Sequence, residues 1–156
     1  MSCGQIGRRL LYRANSITYN TCMAKVLFVC RSNVARSQMA KELYNLRNHG
    51  GADAMGIRVD EPGQKLKEIA ITPYIFDVMD EVGINMRNNE RIKLDLNKLQ
   101  GYQKIIVMLD DTSQVPEYLQ RDPRVVFWDI EDPKYMELDD TRKVRDLLQA
   151  KINTLF

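Results

Sequence analysis

A run of four apolar residues, Val26-Leu27-Phe28-Val29, ends at Cys30, and Arg36 follows six positions later with a helical pattern directly behind it. A continuous apolar run of this length suits a strand buried on both faces of a parallel sheet. Cys30 then stands at the carboxyl end of that strand, where open α/β sheets place their ligand sites. Met39, Ala40, Leu43 and Leu46 recur near helical period, with Gln38, Lys41, Glu42 and Asn45 between them, and Ser37 is placed to be the N-cap. The loop from Cys30 to Arg36 therefore opens onto a helix N-terminus, whose unpaired N–H groups and positive dipole end favour an anion. Arg36 adds a planar fork of donors that matches two oxygens of a phosphoryl group. The same surroundings favour the thiolate of Cys30. Taken singly, a cysteine at a strand end is a small core residue, and an arginine on a helix is a surface charge. Together, at this spacing between strand and helix, they imply covalent chemistry on an oxyanion.

The rest of the chain repeats the strand and helix signals in alternation. After Gly50-Gly51, a weak strand is expected over Ala54 to Val59, and a loop over Asp60 to Lys67. Thr72-Pro73 reads as a helix start ahead of the stripe Ile75, Phe76, Val78, Met79 and Val82, which Gly83 ends. The Arg- and Lys-bearing stretch Asn85 to Asn97 reads as a solvated face leading through a short helix to the next strand. Ile105 to Met108 and Val125 to Trp128 are two further apolar strands, and Val144, Leu147, Leu148 and Ile152 share one face of a closing helix over Asp139 to Leu155. This order predicts a three-layer α/β fold, a four-stranded parallel sheet with helices on both faces.

The 156 residues, 44% hydrophobic and 28% charged, suit one soluble domain with its own core. No apolar stretch approaches the length of a membrane span. Cys3, Cys22 and Cys30 are too few for a disulfide framework and match no zinc spacing, and His49, the only histidine, reads as a turn residue ending the first helix. A small cytoplasmic enzyme is expected, with no membrane or nucleic-acid partner. Residues 1–22 stand apart: they carry Arg8, Arg9 and Arg13 and no acidic residue, and removing these three charges takes the formal net charge from +2 to −1. Met23-Ala24-Lys25 leads straight into the first strand, so residues 1–22 are expected to be a non-structural extension and residues 23–156 the single domain. A transit-like targeting peptide is the alternative, and a folded-back Cys22 would be a redox partner for Cys30.

A departing alcohol or phenol needs a proton, and with no useful histidine the donor should be a carboxyl group. Asp132 is placed for this, in the loop Asp129-Ile130-Glu131-Asp132-Pro133 after the last strand and ahead of a rigid proline; Asp129 is the fallback.

The loop Cys30-Arg31-Ser32-Asn33-Val34-Ala35-Arg36-Ser37, the following Gln38-Met39-Ala40 and the pair Asp132-Pro133 resemble the low-molecular-weight protein tyrosine phosphatases and the arsenate reductases that share their fold. The resemblance implies that Cys30 attacks phosphorus and that Arg36 binds the phosphoryl oxygens. It also implies that Asn33 shapes the loop, Ser37 supports the thiolate and Asp132 is the general acid. Arg31, Ser32, Val34 and Ala35 would complete the substrate-binding loop, and Tyr135 would be the one aromatic left at a place where some members have two. Two departures stand out. Ser32 replaces a usual glycine, so the backbone there must suit a residue with a Cβ, and Ala35 replaces the second loop cysteine that many members use as a protective disulfide partner.

A two-step phosphatase mechanism through a cysteinyl phosphate is the leading expectation, with no metal or organic cofactor and a phosphorylated protein or small phosphomonoester as substrate. Arsenate reduction is the main alternative. Thioredoxin-linked reductases of this fold relay oxidation through two later cysteines, and Leu109 and Val115 stand at about those places here, so a reductase would need an external small thiol. A carrier domain phosphorylated on cysteine would not need Arg36, and a noncatalytic oxyanion- or protein-binding domain would have lost the acid or the nucleophile.

Overall fold

The structure is a computed structural model and describes residues 25–69 and 74–156; the expected extension over residues 1–22, with Cys3 and Cys22, and the helix start at Thr72-Pro73 lie outside them. Strand β1 (Val26–Cys30) pairs in parallel with β2 (Ala52–Gly56) on one side and β3 (Lys104–Val107) on the other, and β4 (Val125–Phe127) continues the parallel sheet beyond β3. Among the described residues, three α-helices lie between the strands, α1 (Arg36–Asn48), α2 (Tyr74–Asp80) and α3 (Glu117–Gln120), and α4 (Leu138–Ile152) follows β4.

The central position of β1 explains its composition. Val26 and Phe28 point to the face that carries Met39 and Leu43 of α1, Met79 of α2 and Leu148 of α4. Leu27 and Val29 point to the opposite face, with Leu99, Ile105, Val107 and Leu119. All four β1 residues are fully buried, as the two-fold side-chain alternation of a strand covered on both faces requires. Phe28 meets the edge of Tyr44 at 6.2 Å and tilts against Trp128 at 5.9 Å between ring centroids.

Several elements depart from the sequence expectation. The second strand begins at Ala52 rather than Ala54, because the Val26 N–H bonds to the Gly51 carbonyl and the ladder register starts one residue later. Val126 and Phe127 are about half exposed, since β4 is an outer strand with one neighbour. Leu46 and Leu147 are exposed too, at the flanks of their stripes; Tyr44 fills the α1 face and Thr141 and Arg145 the α4 face instead. Ser37 does not cap α1, which begins at Arg36 with Ala35 before it and no side-chain cap. His49 does end α1 as expected, in the left-handed region at φ 58°, with its N–H on the Asn45 carbonyl. Among the described residues, no helix is long and apolar enough to cross a membrane.

The end of α2 is pinned to α4 by charge. Buried Arg145 donates to the Val78 carbonyl at 2.7 Å and to Glu81 at 2.5 Å, and Arg142 donates to the same carboxylate at 2.6 Å. Hydrogen bonds from Arg142 and then Arg145 hold the Glu81 carboxyl down at about 2, below its ordinary 4.5. A depressed carboxylate contributes stability that is complete above the unfolded-state value and is lost as pH falls through the folded one. Glu81→Gln should therefore lower the thermal midpoint at pH 7, and the gap to the wild type should narrow between pH 4.5 and about 2. Thermal melts followed by circular dichroism across that range check this; a gap independent of pH would refute it.

Candidate active site

Cys30 is the last residue of β1 and Arg36 the first of α1, so the sheet and the helix fix the two ends of the connecting loop. Between them the backbone must turn sharply. Asn33 does this with φ 57°, and among the described non-glycine residues only His49 shares a positive φ. Asn is one of the few side chains that tolerate this region, and here its amide repays the strain through its contacts. The fully buried Asn33 donates through Nδ2 to Ser37 Oγ at 2.9 Å, and its Oδ1 accepts from Gln38 Nε2 at 3.1 Å and from the Ile92 N–H at 2.8 Å. The N–H groups of Ser32 to Ala35 donate to no carbonyl among the described residues, which leaves them available to an anion. Ser32 itself has no positive φ, so the loop accepts a residue with a Cβ at that place.

Ser37 lies against the sulfur, with 3.0 Å between its Oγ and Cys30 Sγ. Because Asn33 already donates to that oxygen, the hydroxyl proton is free to point at Cys30, an arrangement that suits a thiolate. Arg36 is 3% exposed and holds three acceptors: Asp110 Oδ1 at 2.9 Å, the Ile130 carbonyl at 3.0 Å and Asp132 Oδ2 at 3.5 Å. Asp132 also accepts from the Lys134 N–H at 3.1 Å, capping the short turn Pro133–Tyr135.

These groups open onto one cavity of about 1060 Å³, lined by Cys30, Arg31, Ser32, Val34, Ala35, Arg36, Asp132 and Tyr135 among others. Asn33 and Ser37 do not line it; both are fully buried behind the loop, so they hold it rather than face a ligand. Asp129 is exposed and outside the lining, which leaves Asp132 as the carboxylate of its loop that reaches the cavity. Among the described residues, no group of three or more His, Cys, Asp or Glu is arranged to hold a metal ion.

Two site residues went unnoticed in the sequence. Asp110 lies just past the end of β3, at the same edge of the sheet as Cys30 at the end of β1, and the rule that ligands gather at strand carboxyl ends is the signal that could have found it. Arg91 had no such signal. The stretch Asn85 to Asn97 is not merely a solvated face. Arg91 is 6% exposed, donates through Nε to the Ser32 carbonyl at 3.0 Å, and binds Asp60 at 2.7 Å and Gln64 at 3.0 Å through Nη1. The Arg91 guanidinium in turn holds the Asp60 carboxyl below the usual carboxylate range. Asn89 bonds Gln38 at 3.2 Å and Glu42 at 2.8 Å, so this segment braces both the loop and the first turns of α1.

Residues 25–156 match the family described as low molecular weight phosphotyrosine protein phosphatase. The chain belongs to that family. It is 28% identical over 139 residues to the glutaredoxin arsenate reductase of Synechocystis sp., covering 85% of this chain and 96% of that protein. Among solved structures, an arsenate reductase in its phosphate-binding state superposes with a TM-score of 0.70 at 23% identity, over 85% of this chain and 96% of the other. A low molecular weight protein tyrosine phosphatase from T. tengcongensis gives 0.68 at 24% identity, over 85% and 97%. These structural likenesses establish the shared fold.

Gly56 makes the loop possible from the other side. A Cβ there would lie 2.8 Å from the Asn33 nitrogen and 2.9 Å from the Asn33 Cβ, where neither backbone can give way cheaply. Gly56→Ala should cost about 1–3 kcal/mol of stability through overpacking and weaken binding of inorganic phosphate. Chemical denaturation and competitive inhibition by phosphate measure the two effects; an unchanged inhibition constant would show that the loop does not depend on this contact.

Proposed function

We propose that this protein is a phosphomonoester hydrolase of the protein tyrosine phosphatase kind, working through a cysteinyl-phosphate intermediate. The observation that carries the reading is the meeting of Cys30, Arg36 and Asp132 in one cavity, with the buried Arg36 guanidinium 3.5 Å from the Asp132 carboxylate. A phosphoryl dianion entering the loop takes over Arg36 and the free loop amides, displacing Asp110 and Asp132 from the guanidinium. Cys30 then attacks phosphorus as the ester bond breaks, and Asp132, released from the Arg36 ion pair and protonated from solvent, hands that proton to the departing oxygen. In the second step Asp132 takes a proton from water, which cleaves the S–P bond and returns free phosphate and the thiolate. Asp110 acts through Arg36, as a positioning residue.

Arsenate reduction is the second reading, favoured by the name of the Synechocystis relative and by the equal shape and charge of arsenate and phosphate. Cys30 is the one free cysteine among the described residues, and Leu109 and Val115 hold the places expected for relay cysteines. The two electrons would come from Cys30 and one external thiol, leaving a mixed disulfide that a second external thiol resolves.

Side-by-side assays of p-nitrophenyl phosphate hydrolysis and of thiol-dependent arsenite production separate the two. Hydrolysis should dominate and Cys30→Ser should abolish it; turnover retained by that variant would sink the assignment. Asp132→Asn should lower turnover of an alkyl phosphate by about 10²–10⁴-fold and of a nitrophenyl ester far less, because only the poor leaving group needs the proton. Equal losses would mean that another group is the acid.

A further inference from the structure

The cavity holds six cationic and three acidic side chains. All three carboxylates are engaged by the two buried guanidiniums, Asp60 by Arg91 and Asp110 and Asp132 by Arg36. The other four cations, Arg31, Arg58, Lys93 and Lys134, are exposed and have no carboxylate partner among the described residues. Lys134 has only the Tyr135 ring, 5.1 Å from its nitrogen. The backbone crowds the other three together. The Arg58 N–H donates to the Arg31 carbonyl at 2.7 Å, and Lys93 forms a parallel bridge with Gly56, two residues before Arg58. Lys134 comes from a separate segment, the turn that carries Asp132.

This concentration is not a reflection of the whole chain, which from Met23 onward has a formal charge of −1. Like charges held together at a cavity mouth repel one another and raise the local concentration of anions. The phosphoryl group does not answer them, because Arg36 and the loop amides receive it at the floor. The cavity, at about 1060 Å³, also exceeds what one phosphorylated side chain fills, and Ile57, Ile69 and Tyr135 give its walls apolar surface for neighbouring residues.

We propose that Arg31, Arg58, Lys93 and Lys134 form a second anion subsite that reads acidic side chains flanking a phosphorylated residue, so that the substrate class is an acidic phosphopeptide. This rests on the phosphatase reading and extends it from the reacting group to its surroundings. The ion pairs formed are solvent-exposed, so they act additively, weakly and with strong salt dependence.

The test uses two phosphotyrosyl peptides that differ only in having Asp and Glu, or Asn and Gln, beside the phosphorylated residue. Their affinities for the full-length Cys30→Ser protein are measured by fluorescence anisotropy, where no turnover intervenes. The acidic peptide should bind about tenfold more tightly at low ionic strength, and the advantage should vanish toward about 0.5 M salt. Arg58→Glu combined with Lys93→Glu should erase or invert the preference, and the corresponding double Gln variant should reduce it. Equal affinities at low salt, or a preference that both double variants leave intact, would overturn the subsite. Hydrolysis of p-nitrophenyl phosphate by the wild type reports separately on the catalytic reading. Hydrolysis without peptide preference removes the subsite alone, whereas salt-sensitive preference without hydrolysis keeps the subsite and removes the phosphatase.

Discussion

The buried amide of Asn33 is the contact on which the site depends. It holds a left-handed turn in place by bonding forward to Ser37 and Gln38 and across to the Ile92 N–H, so loop, helix α1 and the segment after residue 85 share one side chain. Each consequence follows from that arrangement. Among the described residues the loop N–H groups stay free of carbonyls, and the Ser37 hydroxyl lies 3.0 Å from the Cys30 sulfur. Removing the amide would leave buried partners unsatisfied, which costs more than the bonds themselves contribute.

Charge completes what the hydrogen bonds begin. A guanidinium as buried as Arg36 needs compensation, and Asp110 and Asp132 supply it while the Ile130 carbonyl takes a further donor. Two carboxylates thus occupy the place that ligand oxygens claim, and binding becomes an exchange of anions on one fork. In the proposed hydrolysis that exchange couples recognition to chemistry, because Asp132, one of the two groups displaced, is the proposed acid. A cradle built in this way answers to the shape and charge of a tetrahedral oxyanion. The fate of the bound anion is then decided by what stands around it: an acid for the leaving group, or a thiol to accept oxidation.

The parts legible in the sequence are those whose physics is local. The continuous apolar run of β1, the Cys30 to Arg36 interval and the α1 pattern lie within neighbouring residues, and the strand–loop–helix unit follows from them. Asp132-Pro133 was legible for the same reason, as a carboxylate and a rigid turn just past an apolar strand. Phe127 shows where this reasoning fails. Its residue type matches the buried strands, but β4 has one neighbour, and hydropathy carries no mark of position in the sheet. Ser37 fails differently, since a residue suited to capping a helix lies two positions past the cap, inside the first turn, where its partners are Asn33 and Cys30.

The amino-acid order alone determined the strand-loop-helix cradle and the places of its cysteine and its arginine, because turn chemistry, helix start and strand burial act over a few residues. Only the folded chain decided what braces and surrounds that cradle. Arg91 reaches the Ser32 carbonyl across 59 positions and Asp110 reaches Arg36 across 74, distances over which no periodicity or motif carries information. The four cations at the mouth were visible as residues, but their gathering around one cavity came from parallel strand order, which brings the carboxyl ends of separate segments to the same edge.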